Sequence, residues 1–523
     1  MARAAQAKST ADASRTCRRC HIDKPLGSFE RLPRGIRGVC HRCRDGKAPV
    51  AKVPRFARAL RGQRYLITAA QNATPVHREF LAALEVAAMH LGAELVVVPL
   101  RYRNPTSRWS AAQESDEWWA PEVEPFLFNQ RKKLHAHLVL AADVKTVPTA
   151  SSPLSGFESL TGAESCIIGH PRMQFRAVPV PTGRMPKILS TTGVCTRANY
   201  TDSKAGKIGE FHHHLGAVLV ELDGKRFHLR QINADRRTGS FIDLDKAYSP
   251  EGVADAPPAL ALVMGDTHVR VADPEVDAAT FGPGGIVETL QPEVLVWHDL
   301  IDGETANPHD AGDPFIAEAK RRAGRSDIRA EIAEAAAFVR ERAKGRRAVI
   351  VDSNHHAFLA RWVVATDWRR DLRNAEFYLE TAQLMLRSAR MAPGGATYDD
   401  PFSHWMRELG AGHVRCLEAD ESYQVAGIEL GMHGHRGPSG ARGSLRNLSR
   451  LGAKVITGHS HTPGIEAGHY QVGTSSYRRL AYQRGPSRAL NTHCVIYANG
   501  RRSLITIVDG AWRLGAQVSS RTS

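Results

Sequence analysis

The stretch LALVMGDTH, residues Leu260–His268, is an apolar run that ends abruptly in polar residues. An apolar run bounded by glycine is typical of a buried parallel strand, and open α/β sheets bind their ligands at the carboxyl ends of such strands. Asp266 and His268 lie at this end. Side chains two residues apart in a strand point to the same side, so this carboxylate and this imidazole can converge on one cation. On its own, such a pair is more often an ordinary polar loop.

The same pattern recurs four times downstream, each time after a further apolar run. Asp, Asn and His are the oxygen and nitrogen ligands that suit manganese, iron, zinc or magnesium. Their repetition at successive strand ends favours a metal centre over unrelated polar loops. The four further segments are HDLID (His298–Asp302), DSNHH (Asp352–His356), HGH (His433–His435) and GHSH (Gly458–His461).

In this order the motifs DxH, DxxD, NH, HG and GHxH resemble those of the calcineurin-like metallophosphoesterases, over roughly half of the chain. The resemblance implies an α/β sandwich of two sheets flanked by helices, with two divalent ions in its active site. Manganese is the expected ion, and magnesium, iron and zinc are alternatives. Matched motif by motif, the resemblance assigns one ion to Asp266, His268 and His461, the other to Asn354, His433 and His459, and the bridging position to Asp299.

The resemblance also implies a proton donor for catalysis. His355 matches the general acid of the NH motif, and Asp302 is positioned to orient it. A histidine can protonate the leaving oxygen of a phosphodiester when a carboxylate fixes its tautomer. Two departures from the family pattern stand out: His298 replaces a usual glycine, and Ser353 and His356 flank the NH pair where glycine and an acid are usual. Neither removes a ligand, but the second leaves the support of His355 to Asp302 alone.

A finer similarity narrows the activity. The stretches MHGHRGPSGARGS and TGHSHTPGI, and the region that begins VGTSSYRRLAYQRGPSR, resemble the early DNases with which virulent tailed bacteriophages destroy host DNA. This implies a metal-dependent DNase that hydrolyses DNA phosphodiester bonds by a two-metal mechanism in the cytoplasm of the bacterial host. Two alternatives stay open: a phosphomonoesterase or nucleotide phosphatase on the same metals, and a DNA-binding host-takeover protein with little catalysis.

The N-terminal segment is a separate basic module. Cys17, Cys20, Cys40 and Cys43 have the C-x2-C…C-x2-C spacing of a tetrahedral structural zinc site. Residues 1–62 hold sixteen Lys and Arg against four Asp and Glu, in a chain of net charge +16, which favours nucleic acid as a partner. We expect a zinc knuckle over residues 15–46, a basic linker over 47–63, and DNA phosphate contacts from the arginines beside the cysteines, Arg18, Arg19, Arg42 and Arg44.

From residue 64 the composition becomes globular. Tyr65–Ala69, Val76–Leu91 and Glu94–Leu100 have the periodicity of a strand, a helix and a second strand. We therefore predict an α/β accessory domain over residues 64–255, with a substrate-handling or homo-oligomerising role, followed by the metallophosphoesterase domain over 256–513. Apart from a short Gly-Pro-Ser that occurs twice, the sequence shows no internal repeat.

The composition also bounds the class of protein. With 523 residues and 42% hydrophobic content, the chain is long enough for several domains with buried cores. It has no run of about eighteen apolar residues, so we expect no membrane span. The first fifteen residues have no apolar h-region, so we expect no secretory signal and a cytoplasmic protein with reduced cysteines outside the knuckle.

We predict that the purified protein carries about one tightly bound zinc ion per chain, because four thiolates retain zinc while sites of Asp, Asn and His exchange their ions. Cys20→Ser should lower the zinc content, measured by atomic absorption after gel filtration. Cys416→Ser, outside the knuckle, should leave it unchanged. Full zinc content in the Cys20 variant would contradict the knuckle.

Overall fold

The computed structural model describes residues 14–18, 23–33, 35–44, 55–101, 118–181, 183–307, 312–480 and 483–515. Among the predicted zinc ligands and the arginines beside them, Arg19 and Cys20 lie outside these ranges, as do the side chains of Arg42 and Cys43. The other two cysteines of the knuckle are both buried, and the Cys40 amide donates a hydrogen bond to Cys17 Sγ (3.3 Å). Zinc binding there stays a prediction.

The described residues form a mixed α/β structure. The strands are β1 (Ser14–Thr16), β2 (Asp23–Pro25), β3 (Phe29–Leu32), β4 (Gly35–Cys40), β5 (Arg64–Gln71), β6 (Glu94–Leu100), β7 (Arg131–His135), β8 (Leu138–Ala141), β9 (Ser165–Ile168), β10 (Phe175–Val178), β11 (Lys187–Thr191), β12 (Gly216–Leu222), β13 (Phe227–Asn233), β14 (Phe241–Asp243), β15 (Lys246–Ser249), β16 (Gly252–Asp255), β17 (Ala261–Val263), β18 (Val294–Trp297), β19 (Arg347–Ile350), β20 (Arg390–Ala392), β21 (Gly395–Thr397), β22 (Arg415–Cys416), β23 (Gln424–Val425), β24 (Ile428–Glu429), β25 (Lys454–Thr457), β26 (Gly464–Glu466), β27 (His469–Gln471), β28 (Asn491–Ile496) and β29 (Arg502–Ile507). The α-helices are α1 (His41–Arg44), α2 (Arg78–Leu91), α3 (Phe157–Leu160), α4 (Lys204–His212), α5 (Pro274–Phe281), α6 (Ile286–Leu290), α7 (Pro314–Arg322), α8 (Ile328–Ala343), α9 (Phe358–Ala365), α10 (Ala375–Ser388), α11 (Pro401–Met406) and α12 (Leu445–Leu448).

The stretch that predicted a buried parallel strand forms β17, at the centre of a six-stranded sheet of order β22-β19-β18-β17-β28-β29. The four strands from β22 to β17 are parallel, β28 runs antiparallel to them, and β29 runs antiparallel to β28. Side chains of α5, α6, α8, α9, α10 and α11 cover one face of this sheet with a hydrophobic core. None of the helices among the described residues is both long and apolar enough to cross a bilayer.

A ten-stranded sheet of order β23-β24-β25-β27-β26-β10-β11-β9-β8-β7 packs against the other face. Its two halves come from the two predicted domains, and they join where β10 pairs antiparallel with β26. The predicted boundary near residue 255 therefore divides the chain but not this sheet.

A four-stranded sheet of order β13-β12-β5-β6 continues the layer of the six-stranded sheet. The predicted β-α-β unit is confirmed as β5, α2 and β6, with β5 parallel to β6. The edge strands β13 and β29 meet at Gln231. Its main-chain N–H donates to Ser503 Oγ (3.2 Å), and its side-chain Oε1 accepts from the main-chain N–H of Leu504 (2.9 Å). Two broad layers thus enclose one core between them.

A buried ion network braces the first half of the chain. The Arg230 guanidinium binds both carboxylate oxygens of Asp243 (2.9 Å each) and Glu221 Oε2 (2.7 Å), and all three side chains are 5% exposed or less. Burial opposes ionisation of Glu221, but Arg230 outweighs it and lowers the pKa of that carboxyl to about 2. Such a network is costly to break, because a lost partner leaves a buried charge uncompensated.

We predict that Arg230→Met lowers the free energy of unfolding by about 3–5 kcal/mol, since it leaves the buried Asp243 carboxylate uncompensated and Glu221 with Arg64 as its remaining cation. Urea unfolding followed by circular dichroism measures the change. The matched control is Arg321→Met in α7, where the side chain is 64% exposed and a change within about 0.5 kcal/mol is expected. Equal effects of the two substitutions would contradict the role of Arg230.

Candidate metal centre

The predicted metal ligands all follow strands, and the two large sheets bring them together. Asp266 and His268 follow β17, Asp299 follows β18, and Asn354 follows β19 in the six-stranded sheet. The ten-stranded sheet contributes residues after β24 and β25, namely His433, His459 and His461. The centre therefore lies where the carboxyl ends of strands from both layers converge.

The first predicted set is in contact. His461 Nε2 lies 3.4 Å from Asp266 Oδ2 and 3.1 Å from His268 Nε2. Burial lowers the pKa of His268 to about 3 and holds the pKa of His461 well below its usual value. Both imidazoles are consequently neutral, the form in which histidine coordinates a metal.

Asp299 lies between the two predicted sets. Its Oδ2 is 3.0 Å from His433 Nε2 and 3.9 Å from His268 Nε2, and the rings of His433 and His459 are 5.3 Å apart. Two groups of three side chains have ligand atoms within 4.8 Å of one another, and Asp299 belongs to both. One group adds Asp266 and His433, while the other adds His268 and His355. This placement suits a bridging carboxylate.

The polar atoms of the centre fit a bound cation. Asp266 is 0% exposed and Asp299 1%. Among the described residues, neither carboxylate oxygen of Asp266, nor Asp299 Oδ1, nor Asn354 Oδ1 has a hydrogen-bond partner. Burial raises the pKa of Asp266 to about 7. A buried carboxylate without partners is costly, and a divalent ion removes that cost by coordination.

Four of the predicted ligands have a left-handed backbone, which non-glycine residues seldom adopt. The φ angles are +42° for Asp299, +46° for His268, +54° for His461 and +75° for His459. Each such residue costs of order 1–3 kcal/mol, and such residues cluster at functional sites. The strain is consistent with loops shaped to point ligands inward.

The predicted proton donor has a different support from the one expected. His355 Nδ1 donates to the main-chain oxygen of Asp302 (3.0 Å), while the Asp302 carboxylate is 3.9 Å from that nitrogen. The carboxylate lies closer to His268 Nδ1, at 3.4 Å. Asp302 thus orients His355 through its backbone, and its side chain faces a predicted metal ligand. The expected support of His355 by the Asp302 carboxylate is therefore corrected to support by the Asp302 main-chain oxygen.

The residues that depart from the family pattern have structural contacts. His298 Nδ1 lies 3.4 Å from His433 Nδ1. His356 Nε2 accepts a hydrogen bond from the Leu300 amide (3.1 Å), and its ring stacks on Phe402 at 3.9 Å. Ser353 Oγ accepts from the His356 amide (3.3 Å).

Three further residues, which are not among the predicted ligands, support the centre. Glu331 in α8 is buried and accepts the amides of Asp302 (3.1 Å) and Gly303 (2.8 Å), which fixes the loop after β18. Gln483 Nε2 lies 2.8 Å from His461 Nδ1. Gly458 packs against the ligand carboxylate of Asp266. The first two lie far in sequence from any ligand motif that they support, so spacing does not indicate them.

No protein-family model matches the chain. A comparison with curated proteins finds protein A1 of Escherichia phage T5, which is 31% identical over 466 residues. The aligned region covers 86% of this chain and 82% of protein A1.

We predict that Gly458→Ala weakens manganese binding by about tenfold or more, on the scale of other changes beside metal ligands. A Cβ there would lie 2.2 Å from Asp266 Oδ1, so the carboxylate must move. Isothermal titration calorimetry with Mn²⁺ measures the change. Gly394→Ala, where the new Cβ meets nothing within 4 Å, is the control, and equal affinity in both variants would contradict the assignment of Asp266.

Proposed function

The chain belongs to the family of protein A1 of Escherichia phage T5. We propose that it is a metal-dependent DNase that degrades host DNA during infection. The observation that carries the proposal is the buried cluster in which Asp299 lies between two sets of candidate metal ligands. Paired divalent ions around one carboxylate are a recurrent arrangement for hydrolysing phosphate esters.

The surroundings of the centre favour a polymer over a small phosphate ester. His459 and Gly434, beside the centre, line a cavity of about 1970 Å³. Sites for small ligands usually measure about 300–1000 Å³. The same cavity is rich in arginine, and the N-terminal module is strongly basic. A DNA phosphodiester is therefore the substrate that we favour over a phosphomonoester or nucleotide.

In the proposed reaction, Asp266, His268 and His461 would hold one metal ion, Asn354, His433 and His459 would hold the other, and Asp299 lies between the two sets of residues. Bound divalent ions supply charge neutralisation of the phosphoryl oxygens and a water molecule of lowered pKa. The neutral imidazoles and ionised carboxylates of the chain offer the lone pairs that such ions require.

His355 supplies the proton that the leaving oxygen requires. Its Nδ1 proton is held by the Asp302 carbonyl, so in the protonated ring Nε2 carries the transferable proton. After transfer to the leaving oxygen, the ring remains as the neutral tautomer with its proton on Nδ1.

A supercoiled plasmid and a small phosphomonoester, each incubated with the protein and Mn²⁺, separate this proposal from its alternatives. Degradation of the plasmid supports the DNase. Hydrolysis of the monoester alone would indicate a phosphatase, and a gel shift without turnover would indicate a DNA-binding protein. Full plasmid cleavage by EDTA-treated protein without added metal would contradict the metal mechanism.

We predict that His355→Ala slows DNA cleavage by about 10²–10⁴-fold, the usual contribution of a general acid. Hydrolysis of bis-p-nitrophenyl phosphate should slow much less, because p-nitrophenolate leaves without protonation. Steady-state rates on both substrates measure this difference. His413→Ala, which changes an exposed histidine outside the centre, should cleave both substrates at the unaltered rate.

Equal slowing of both substrates in the His355 variant would contradict the proton-donor role. Bound manganese is measured in parallel. If the His355 variant loses it, His355 is a metal ligand, a role that fits its place in one of the two ligand groups.

A further inference from the structure

The first half of the chain repeats the strand arrangement of the second half. In the ten-stranded sheet, the order β7-β8-β9-β11-β10 matches β23-β24-β25-β27-β26. In both runs the first and last pairings are antiparallel and the two middle pairings are parallel. In the other layer, β13-β12-β5-β6 matches β29-β28-β17-β18, with two antiparallel pairings followed by a parallel one.

Local hydrogen bonds extend the match to single residues. His77 caps α2 and its amide donates to Cys195 O (2.8 Å), while Asp273 caps α5 and its amide donates to Ser475 O (3.0 Å). The bridge between Val76 and Thr196 has its counterpart between Ala272 and Ser476. Identical pairing at these positions indicates one ancestral unit present twice.

The two copies meet around an approximate two-fold axis. Phe175 and Ile465 occupy equivalent positions, and they pair directly with each other in the ladder between β10 and β26. In the other layer, Gln231 and Leu504 are equivalent and share a hydrogen bond. A contact between equivalent residues is the mark of an isologous, dimer-like interface.

The first copy lacks the ligands of the second. By the strand registers, Ala70 and Asn72 stand in the places of Asp266 and His268. Gly169-His170-Pro171-Arg172 follows β9 as Gly458-His459-Ser460-His461 follows β25.

The histidine retained after β9 serves the backbone. His170 Nε2 is bonded to Val147 O (2.9 Å), and its Nδ1 accepts from the Arg172 amide (2.9 Å). Both ring nitrogens are thus occupied. Within the described part of this copy, no group of three potential metal ligands is found.

One broad groove crosses the junction of the copies. Ten arginines and Lys454 line its cavity, against a single carboxylate, Glu466, among the described lining residues. It extends from His459 at the metal centre across β26 and β10 to the first copy. The arginines on either side of the junction include Arg172, Arg176 and Arg236 from the first copy and Arg442, Arg446 and Arg450 from the second.

Arg172, which lines this groove, differs in chemistry from its counterpart in the second copy. It stands where the second copy has the candidate ligand His461, so a fixed positive charge replaces a metal ligand. Its side chain is 11% exposed and its Nε is buried without a hydrogen-bond partner among the described residues. Its ion partner is distant: Glu466 Oε1 lies 3.9 Å from Nη2. A guanidinium that lines a groove and has an unpaired N–H can bind a phosphate group, but it cannot take the place of a metal ligand.

We propose that residues 64–233 are a catalytically silent copy of the metal-binding unit, and that the shared arginine groove holds the DNA backbone beyond the bond that is cleaved. The proposal rests on the proposed function for its choice of DNA as the polyanion. The groove connects the two copies, so a strand bound in the catalytic copy continues over the silent one, where Arg172 and Arg176 contact its phosphates.

The test is binding of a fluorescein-labelled 30-base-pair DNA duplex to the full chain in EDTA, by fluorescence anisotropy over a range of salt concentrations. For Arg172→Gln combined with Arg176→Gln, we expect weaker binding and a salt slope lower by about 2, since each phosphate contact contributes about 1. Arg176 is partly exposed and also pairs with Glu158. Arg176→Gln alone should lower the slope by about 1, and this single variant tests the proposal if the double variant does not fold.

The control changes the same charge outside the groove, with Arg321→Gln and Arg322→Gln in α7, both exposed and paired with Glu318. Its affinity and salt slope should equal those of the unaltered protein. If the groove variants bind like this control, the proposal is overturned. Binding in EDTA needs no hydrolysis. If the protein binds DNA through the groove but does not cleave it with Mn²⁺, only the proposed function is contradicted.

Discussion

Two carboxylates with almost no access to water, Asp266 and Asp299, are the constraint on which the candidate metal centre depends. Their burial is unfavourable unless positive charge reaches them. Burial holds the imidazoles of His268 and His461 neutral, whereas Asp299 raises the pKa of His433. A divalent ion satisfies both groups at once. The strained left-handed residues around the centre are then the conformational cost of aiming these ligands inward.

The convergence of two sheets makes this centre possible. Neither sheet alone carries all seven candidate ligands, because β17, β18 and β19 lie in one layer and β24 and β25 in the other. The first half of the chain completes both layers through β10 and β13, so it stabilises the surface on which the centre is built. In the account proposed here, this half exchanged catalysis for DNA binding while it kept the interface.

Sequence reasoning was most effective where chemistry and periodicity coincide. Asp266 and His268 follow a short apolar run, so both the strand and its ligand-bearing end were predictable, and β17 confirms the strand. The support of His355 was not predictable, because the Asp302 carbonyl that orients it belongs to the backbone. Glu331 was hidden for another reason: within α8 it resembles any other helical glutamate, and only its burial against the loop reveals its role.

The internal repeat shows the same limit on a larger scale. Because Ala70 and Asn72 stand in the places of Asp266 and His268, the first copy has no DxH motif at this strand end, and the pair Gly169-His170 is too short a match to mark it. Strand order and register persist because the backbone pairing and the core between the layers depend on them, and they tolerate any apolar residue of suitable size. The repeat is therefore visible in the hydrogen-bond ladders and not in the sequence.

The most direct test of the metal centre is a crystal structure of the full chain grown with Mn²⁺ and measured near the manganese absorption edge. The account predicts two anomalous peaks in contact with Asp299, one beside His268 and His461 and the other beside His433 and His459. Peaks confined to surface carboxylates, with none at Asp299, would contradict it.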